Sequence, residues 1–286
     1  MQQEKVRHEQ FEYDRARPFH IFLAMSDDAD LSRFMNHWHE DLEVVYGFAG
    51  CSRHYINGEC VMGSPGRLVV TNANFIHSIL PDESIEGKHI LVKIIVVISP
   101  RFVEENLPEY PEFYFTNECE CASECVDQIM TELISFADGV ALKPYENVRA
   151  RALVMELLYE MCMQGTVPRE RVDRINILKD IERMKGVLTF IEEHYRERIS
   201  QSMVAKKFHF STTYFSKYFK KCTGMTYTEY LTNYRLYQAR NLLLQTEESV
   251  TRIAEESGFT DDRRLILAFR KLYGETPLQY RKKRHK

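Results

Sequence analysis

Two sets of side chains in this 286-residue chain combine residue types and spacing that can do chemistry. The first lies between Ser211 and Gly224. Thr212, Thr213, Ser216, Lys217 and Lys220 fall on one face of an ideal helix, opposite Tyr214, Phe215, Tyr218 and Phe219. Short polar side chains let a helix approach a major groove, and lysine reaches guanine acceptors or phosphate oxygens. The second is His37-Trp38-His39 followed by Glu43. At the two-residue period of a strand, His37, His39 and Glu43 share one face if the strand is unbroken. Imidazole and carboxylate together can hold a divalent metal or hydrogen-bond a polar ligand.

The first set is duplicated. Phe219-Lys220-Lys221-Cys222-Thr223-Gly224-Met225-Thr226 recurs fifty residues later as Phe269-Arg270-Lys271-Leu272-Tyr273-Gly274-Glu275-Thr276. Tyr230 and Tyr280 keep that offset, and Ala205-x3-His209-Phe210-Ser211 echoes Ala254-x3-Gly258-Phe259-Thr260. Ser211 can cap a helix near 212–222 through its hydroxyl, and Gly224 can end it in a left-handed conformation. The second copy predicts a helix near 262–272. Between them Thr226 to Gln245 reads as one helix of 20 residues. It would be about 30 Å long. One turn of DNA is about 34 Å, so this strut can set two recognition helices in successive major grooves.

The surrounding elements divide the chain in two. Residues 20–100 carry strand patterns: Asp41 to Phe48 alternates, and Ser52 to Ile56 runs into the hairpin signal Asn57-Gly58. Pro65-Gly66 marks another turn before Leu68-Val69-Val70. Short strands at this spacing predict a sandwich or small barrel. Ala122 to Phe136 and Val148 to Met163 have helical apolar spacing. These two helices either pack on the strands or pair between subunits, giving a homodimer. Gly165 to Arg174 is polar and reads as a linker. The expectation is an α+β chain of two domains: a β-barrel domain with two following helices at 1–164, a linker at 165–178, and an all-α domain at 179–286.

Charge follows the same division. Net charge is −4, but the first 178 residues hold 16 basic against 29 acidic side chains, net −13. The remainder holds 22 against 13, net +9, which suits a polyanionic partner. The longest apolar stretch, Ile90 to Ile98, is too short to span a bilayer and contains Lys93. The polar N-terminus does not read as a signal peptide, and seven cysteines without regular spacing do not form a disulfide framework. A cytoplasmic protein with reduced thiols is expected, with no membrane partner. Cys119, Cys121 and Cys125 cluster, but no second cluster stands at zinc-ligand spacing.

The C-terminal residues resemble the AraC/XylS family of transcription regulators over about 183–284. The match runs through Ala205, Ser211, Phe219-Lys220-Lys221, Gly224, Arg235, Ala239, Leu242-Leu243, Ile253-Ala254, Gly258-Phe259, Phe269-Arg270-Lys271, Gly274, Pro277 and Tyr280-Arg281. The resemblance implies a double helix-turn-helix that binds double-stranded DNA through Thr212, Thr213, Ser216, Lys217, Lys220 and Lys221 in one helix. The second helix would contribute Arg263, Ile266, Leu267, Arg270 and Lys271. Arg235, Ala239 and Leu243 would build the core of the strut. Two departures stand out. His209 replaces the family's usual turn glycine, and Arg264 replaces an apolar or aromatic residue. Ile266 and Leu267 can meet thymine methyls but cannot form bidentate pairs, so the first helix should give most hydrogen-bonded readout.

In that family the N-terminal domain is commonly a cupin barrel that binds an effector. His37-Trp38-His39, Glu43, Gly50, Gly66 and His77 resemble the cupin spacing. The resemblance adds His77 and makes a three-histidine, one-carboxylate set suited to a divalent metal. The alternative is that His37, His39, Glu43 and His77, with Tyr46, Arg53 and Tyr55, line a small-molecule pocket without metal. The implied function is a one-component regulator, not an enzyme. It would respond to a small-molecule effector such as a sugar or related metabolite, and would contact RNA polymerase if it activates. The alternatives are a metal-dependent cupin enzyme with a helical appendage, and a regulator whose barrel only dimerises.

Overall fold

The computed structural model describes residues 9–26, 35–81, 90–119, 124–143, 145–172 and 175–284. The chain forms two compact units, Met1–Ile181 and Glu182–Lys286.

The first unit is built on strands β1 (Phe19–Met25), β2 (Leu42–Gly47), β3 (Ser52–Ile56), β4 (Glu59–Gly63), β5 (Leu68–Thr71), β6 (His77–Pro81) and β7 (Leu91–Ile98). These are followed by α1 (Pro100–Asn106), β8 (Phe113–Phe115), β9 (Glu118–Cys119), α2 (Glu124–Leu133), α3 (Glu146–Gln164), β10 (Thr166–Pro168) and α4 (Arg169–Val172). One antiparallel sheet has the order β1-β7-β2-β5-β9, and a second has β4-β3-β6. The β3–β4 turn is the expected Asn57-Gly58, both residues left-handed at φ +47° and +89°. That pair matches a two-residue turn whose twist fits the flanking strands.

Strand parity sorts the side chains. Leu42, Val44 and Tyr46 of β2 face a core completed by Phe102 of α1, Val126, Ile129 and Met130 of α2, and Leu153, Leu157 and Met161 of α3. The intervening Val45, with Val69, Ile95 and Val97, faces a second core shared with Ile56, Val61 and Ile79 of the smaller sheet. The five-stranded sheet is therefore covered on both faces, and both predicted helices pack on it. Burying each such side chain contributes about 1.5–3 kcal/mol.

The segment expected as a linker is structured at its start. β10 pairs with β8, Thr166 opposite Phe115 and Pro168 opposite Phe113. The Arg169 guanidinium lies 4.5 Å from the Tyr114 ring centroid and donates to the Phe113 and Tyr110 carbonyls at 3.2 and 3.3 Å. Polar composition hid this anchor, because an arginine stacked on tyrosine reads in sequence as a solvated charge.

The second unit is helical. It comprises most of α5 (Ile175–His194), then α6 (Gln201–Lys207), α7 (Thr212–Thr223), α8 (Tyr227–Gln245), α9 (Val250–Glu256), α10 (Asp262–Tyr273) and α11 (Pro277–Arg284). The sequence duplication is a duplication of packing. The Phe219 ring meets Tyr230 edge-on at 5.3 Å and 85°, and Phe269 meets Tyr280 at 5.4 Å and 84°. Leu236, Ala239 and Leu243 of α8 pack with Ile253, Leu265 and Phe269.

Candidate nucleic-acid interface and ligand site

Each helix-turn-helix is fixed by its turn and caps. Gly258 takes φ +82°, and His209 takes φ +59° at the matching place, so the first turn survives its missing glycine. The Ser211 hydroxyl accepts from Tyr214 N at 3.3 Å, and Gly224 closes α7 at φ +75°. In the second copy Asp261 Oδ1 accepts from Arg264 N at 2.8 Å, and Gly274 closes α10 at φ +73°. The second turn is one residue longer than the first: His209 lies two residues before its cap, Gly258 three.

On α7, Thr212, Thr213, Ser216, Lys217, Lys220 and Lys221 are exposed, while Phe215, Phe219 and Cys222 are buried. Tyr214 departs from the expected apolar face. It is 46% exposed and stacks on Tyr218 at 5.6 Å. On α10, Arg263, Leu267, Arg270 and Lys271 are exposed, but Ile266 is half-buried and has less of its surface on offer. Arg264 is exposed at the position equivalent to Tyr214. Sequence reading left both out of the interface, although their fifty-residue offset could have paired them.

α8 spans 19 residues. That length is about 28 Å. It begins with a reciprocal cap between Thr226 and Glu229. Ala239 and Leu243 are fully buried. Arg235 donates to the Tyr195 and Glu197 carbonyls, both at 2.7 Å, satisfying acceptors at the end of α5. These three residues hold the frame.

In the first unit the expected cluster assembles. His37, His39, Glu43 and His77 are buried, with ligand atoms all within 4.8 Å of one another. The route differs from an unbroken strand. β2 begins only at Leu42, and His37 reaches His77 through an isolated bridge. Every Nδ1 lies on a backbone carbonyl: His37 on Met35 at 3.1 Å, His39 on Asp41 at 3.1 Å, His77 on Phe75 at 2.9 Å. A carbonyl only accepts, so each Nδ1 carries a proton and each Nε2 turns toward the cluster.

Glu43 Oε2 lies 3.4 Å from His39 Nε2 and 3.5 Å from His77 Nε2. Burial pushes the Glu43 carboxyl up, but the imidazoles of His77 and His39 outweigh it and hold the pKa well below the usual range. Burial and His77 push the His37 pKa down. His77 Nε2 is buried with no hydrogen-bond partner. Glu43 sits among these Nε2 atoms only with a proton or a metal cation between them, and its lowered pKa reflects that positive charge. The residues therefore fit a divalent metal, with backbone carbonyls orienting the imidazoles from behind.

Glu9, missed in the sequence, brings a second carboxylate to 4.0 Å from His37 Nε2.

The remaining pocket candidates do not join this site. Tyr46 faces the opposite core and donates to Asp127 Oδ1 at 2.7 Å. Arg53 is exposed and Tyr55 half-buried; in β3 it is His54 and Ile56 that are buried. The polar residue β3 turns inward is therefore His54, legible only once the register is fixed. Of the cysteine cluster, Cys121 lies outside the described residues, and Cys125 is near Glu156 at 3.8 Å.

Among the described residues no helix is long and apolar enough to cross a membrane. A helix-turn-helix domain family matches residues 204–283. The chain is 25% identical over 273 residues to the HTH-type transcriptional activator RhaS of Enterobacter sp. (strain 638), covering 93% of this chain and 94% of that one. It is 37% identical to the C-terminal domain of the two-component response regulator yesN from Fusobacterium nucleatum, covering 34% of this chain and 96% of that one, at a TM-score of 0.33. A transcriptional regulator from Chromobacterium violaceum described as AraC-type is 25% identical over 36% of this chain and 92% of that one, at a TM-score of 0.35. With the duplicated fold, caps and exposed cationic faces, the helix-turn-helix match and the full-length likeness to regulators support an AraC/XylS-type DNA-binding transcription regulator.

Proposed function

We propose that the chain is a one-component regulator whose helical unit reads two successive major grooves and whose strand-rich unit, a cupin-type sensor, binds a small-molecule effector. The observation that carries this reading is the repeated helix-turn-helix with exposed polar and cationic faces on α7 and α10. Thr212, Thr213, Ser216 and Lys217 reach base edges, and Lys220 and Lys221 reach phosphates. Arg263, Arg270 and Lys271 add phosphate contacts from α10, where Leu267 offers a thymine-methyl contact. The relatives being regulators supports a regulatory role over a metal-dependent enzyme. The protein works in the cytoplasm, beside RNA polymerase when it activates. Selection of bound duplexes from a random pool, followed by footprinting, tests this. Two protected grooves one helical turn apart and a steep salt dependence are expected; salt-insensitive binding or a single protected groove would overturn it.

Two observations refine the sensor. The Nε2 atoms converging on the Glu43 carboxylate favour a first-row divalent metal held by His37, His39, Glu43 and His77. When bound it would supply a positive centre able to take an oxygen of the effector. Metal content after chelator-free purification measures this directly. From the N-cap Tyr145 along α3, the exposed Tyr145, Val148, Ala152, Met155, Tyr159 and Met163 repeat at three- and four-residue intervals. That is the spacing of a helix pairing seam, and it supports a homodimer through α3. Light scattering should find a dimer that Met155→Glu separates.

A further inference from the structure

Glu9 stands beside the histidine set because the chain places it there in register. Between Glu9 and Tyr13 every second residue meets the side chain 28 positions later. Glu9 Oε2 lies 4.0 Å from His37 Nε2, and the Phe11 ring meets the His39 ring edge-on at 5.7 Å and 81°. The Tyr13 hydroxyl donates to Asp41 Oδ1 at 2.6 Å. The Glu9 N–H donates to the Trp38 carbonyl at 3.2 Å, which fixes the backbone as well. Gln10 and Glu12, between these contacts, are exposed. Alternation of this kind is that of an extended segment laid along its neighbour. Glu9 is thus held at the set by contacts that involve no metal.

The distance suits a shared ion better than a direct bond. At 4.0 Å, Glu9 Oε2 and His37 Nε2 are too far apart to hydrogen-bond. Two atoms each about 2.1 Å from one metal lie about 3.0 Å apart at right angles and about 4.2 Å apart across it. The Glu43 contacts, 3.4 Å to His39 and 3.5 Å to His77, fall in the same range. Among the described residues His37 is the only ionic partner of the Glu9 carboxylate, whose side chain is 38% exposed and has room to turn inward.

Charge points the same way. Three neutral imidazoles and Glu43 would leave a divalent ion with one positive charge uncompensated in a buried site, and buried charge is costly unless paired. A second carboxylate cancels it. Asp41 does not serve, because it lies 3.8 Å from the Nδ1 side of His39 and takes the Tyr13 hydroxyl. Glu9 approaches from the Nε2 side.

We propose that Glu9 is a fifth ligand of the metal held by His37, His39, Glu43 and His77. Three nitrogens and two carboxylate oxygens suit manganese(II) or iron(II), whereas zinc is commonly satisfied by four ligands. The proposal rests on reading the four-residue set as a metal site.

The test strips the full chain with a chelator and titrates it separately with manganese, zinc and cobalt chlorides, against a fluorescent chelator as competitor. Glu9→Gln removes the charge at the same volume. It should weaken manganese by about tenfold or more, and zinc by less. Glu12→Gln, an exposed carboxylate three residues away, should change neither. The visible absorption of bound cobalt should change in Glu9→Gln and not in Glu12→Gln, because those bands respond to the atoms bound to the ion and not to a charge at a distance. Equal manganese affinity in Glu9→Gln and the parent chain, or an unchanged cobalt spectrum, would overturn the fifth ligand and leave a four-residue metal site standing. No metal bound by the parent chain would overturn the metal reading and this proposal with it.

Discussion

Gly258 and Gly274 share a backbone conformation but not an environment, and alanine at each should separate strain from crowding. Both are left-handed, at φ +82° and +73°. Alanine in that region costs about 1–2 kcal/mol, partly offset by about 0.4–1 kcal/mol from a stiffer unfolded chain. At Gly274 nothing lies within 4 Å of the added Cβ, so Gly274→Ala should cost about 1 kcal/mol. At Gly258 the Cβ would meet the Tyr195 carbonyl at 2.6 Å and the Arg196 Cα at 2.9 Å. Both are backbone atoms, and the same carbonyl is held by Arg235. Crowding of this kind adds about 1–3 kcal/mol, so Gly258→Ala should cost about 2–4 kcal/mol in all. Urea unfolding followed by far-ultraviolet circular dichroism measures the helical unit. The two variants should differ by at least about 1 kcal/mol, with Gly258→Ala the less stable. Equal losses would refute the account of how the second helix-turn-helix seats on the end of α5.

Other substitutions probe the two sites. Lys217→Ala should lose about 1–3 kcal/mol of DNA affinity and relax preference at one base pair, whereas Lys220→Ala should lower the salt slope by about 1 without changing sequence preference. Mobility shifts over a salt series read both. His54 is neutral in the fold and protonated in the unfolded chain between about pH 3 and pH 6.5, so its contribution is complete above pH 6.5 and declines as pH falls. The decline is about 1.4 kcal/mol per pH unit in that window, and His54→Leu should flatten stability against pH there, measured by denaturant unfolding. His77→Ala should abolish any stabilisation by added zinc or manganese in thermal unfolding, while leaving salt-dependent DNA binding in place.

The helical unit was almost fully legible because its signals are local. Ser211, Gly224 and Gly274 act within one turn of chain, and the repeat wrote each twice. The exceptions needed tertiary context. Asp261 rather than Thr260 caps α10 because the second turn is longer by a residue, and Tyr214 leaves the core because it stacks on Tyr218. The strand-rich unit was half legible. His37, His39, Glu43 and His77 converged, although a break before Leu42 replaced the expected strand. Tyr46, Arg53 and Tyr55 failed for one reason. Chemical type says nothing about parity, and a shift of one residue sends a side chain to the other face of its sheet. The same rule hid His54 and left Lys93 looking like an interruption in an apolar run.

The anchoring of Arg169 over Tyr114, with β10 laid along β8, settles where the chain can be cut. Severing it at residue 164 would strip β8 of its partner and uncover the backbone of Phe113–Phe115 between aromatic side chains. An unpaired edge of that kind invites another copy to add its own strand. Severing it after residue 172 keeps the edge sealed and carries the arginine clasp along. This stretch of the first unit is thus one whose composition marks it as disposable, and a fragment trimmed by composition would bare a strand edge that the longer chain keeps paired.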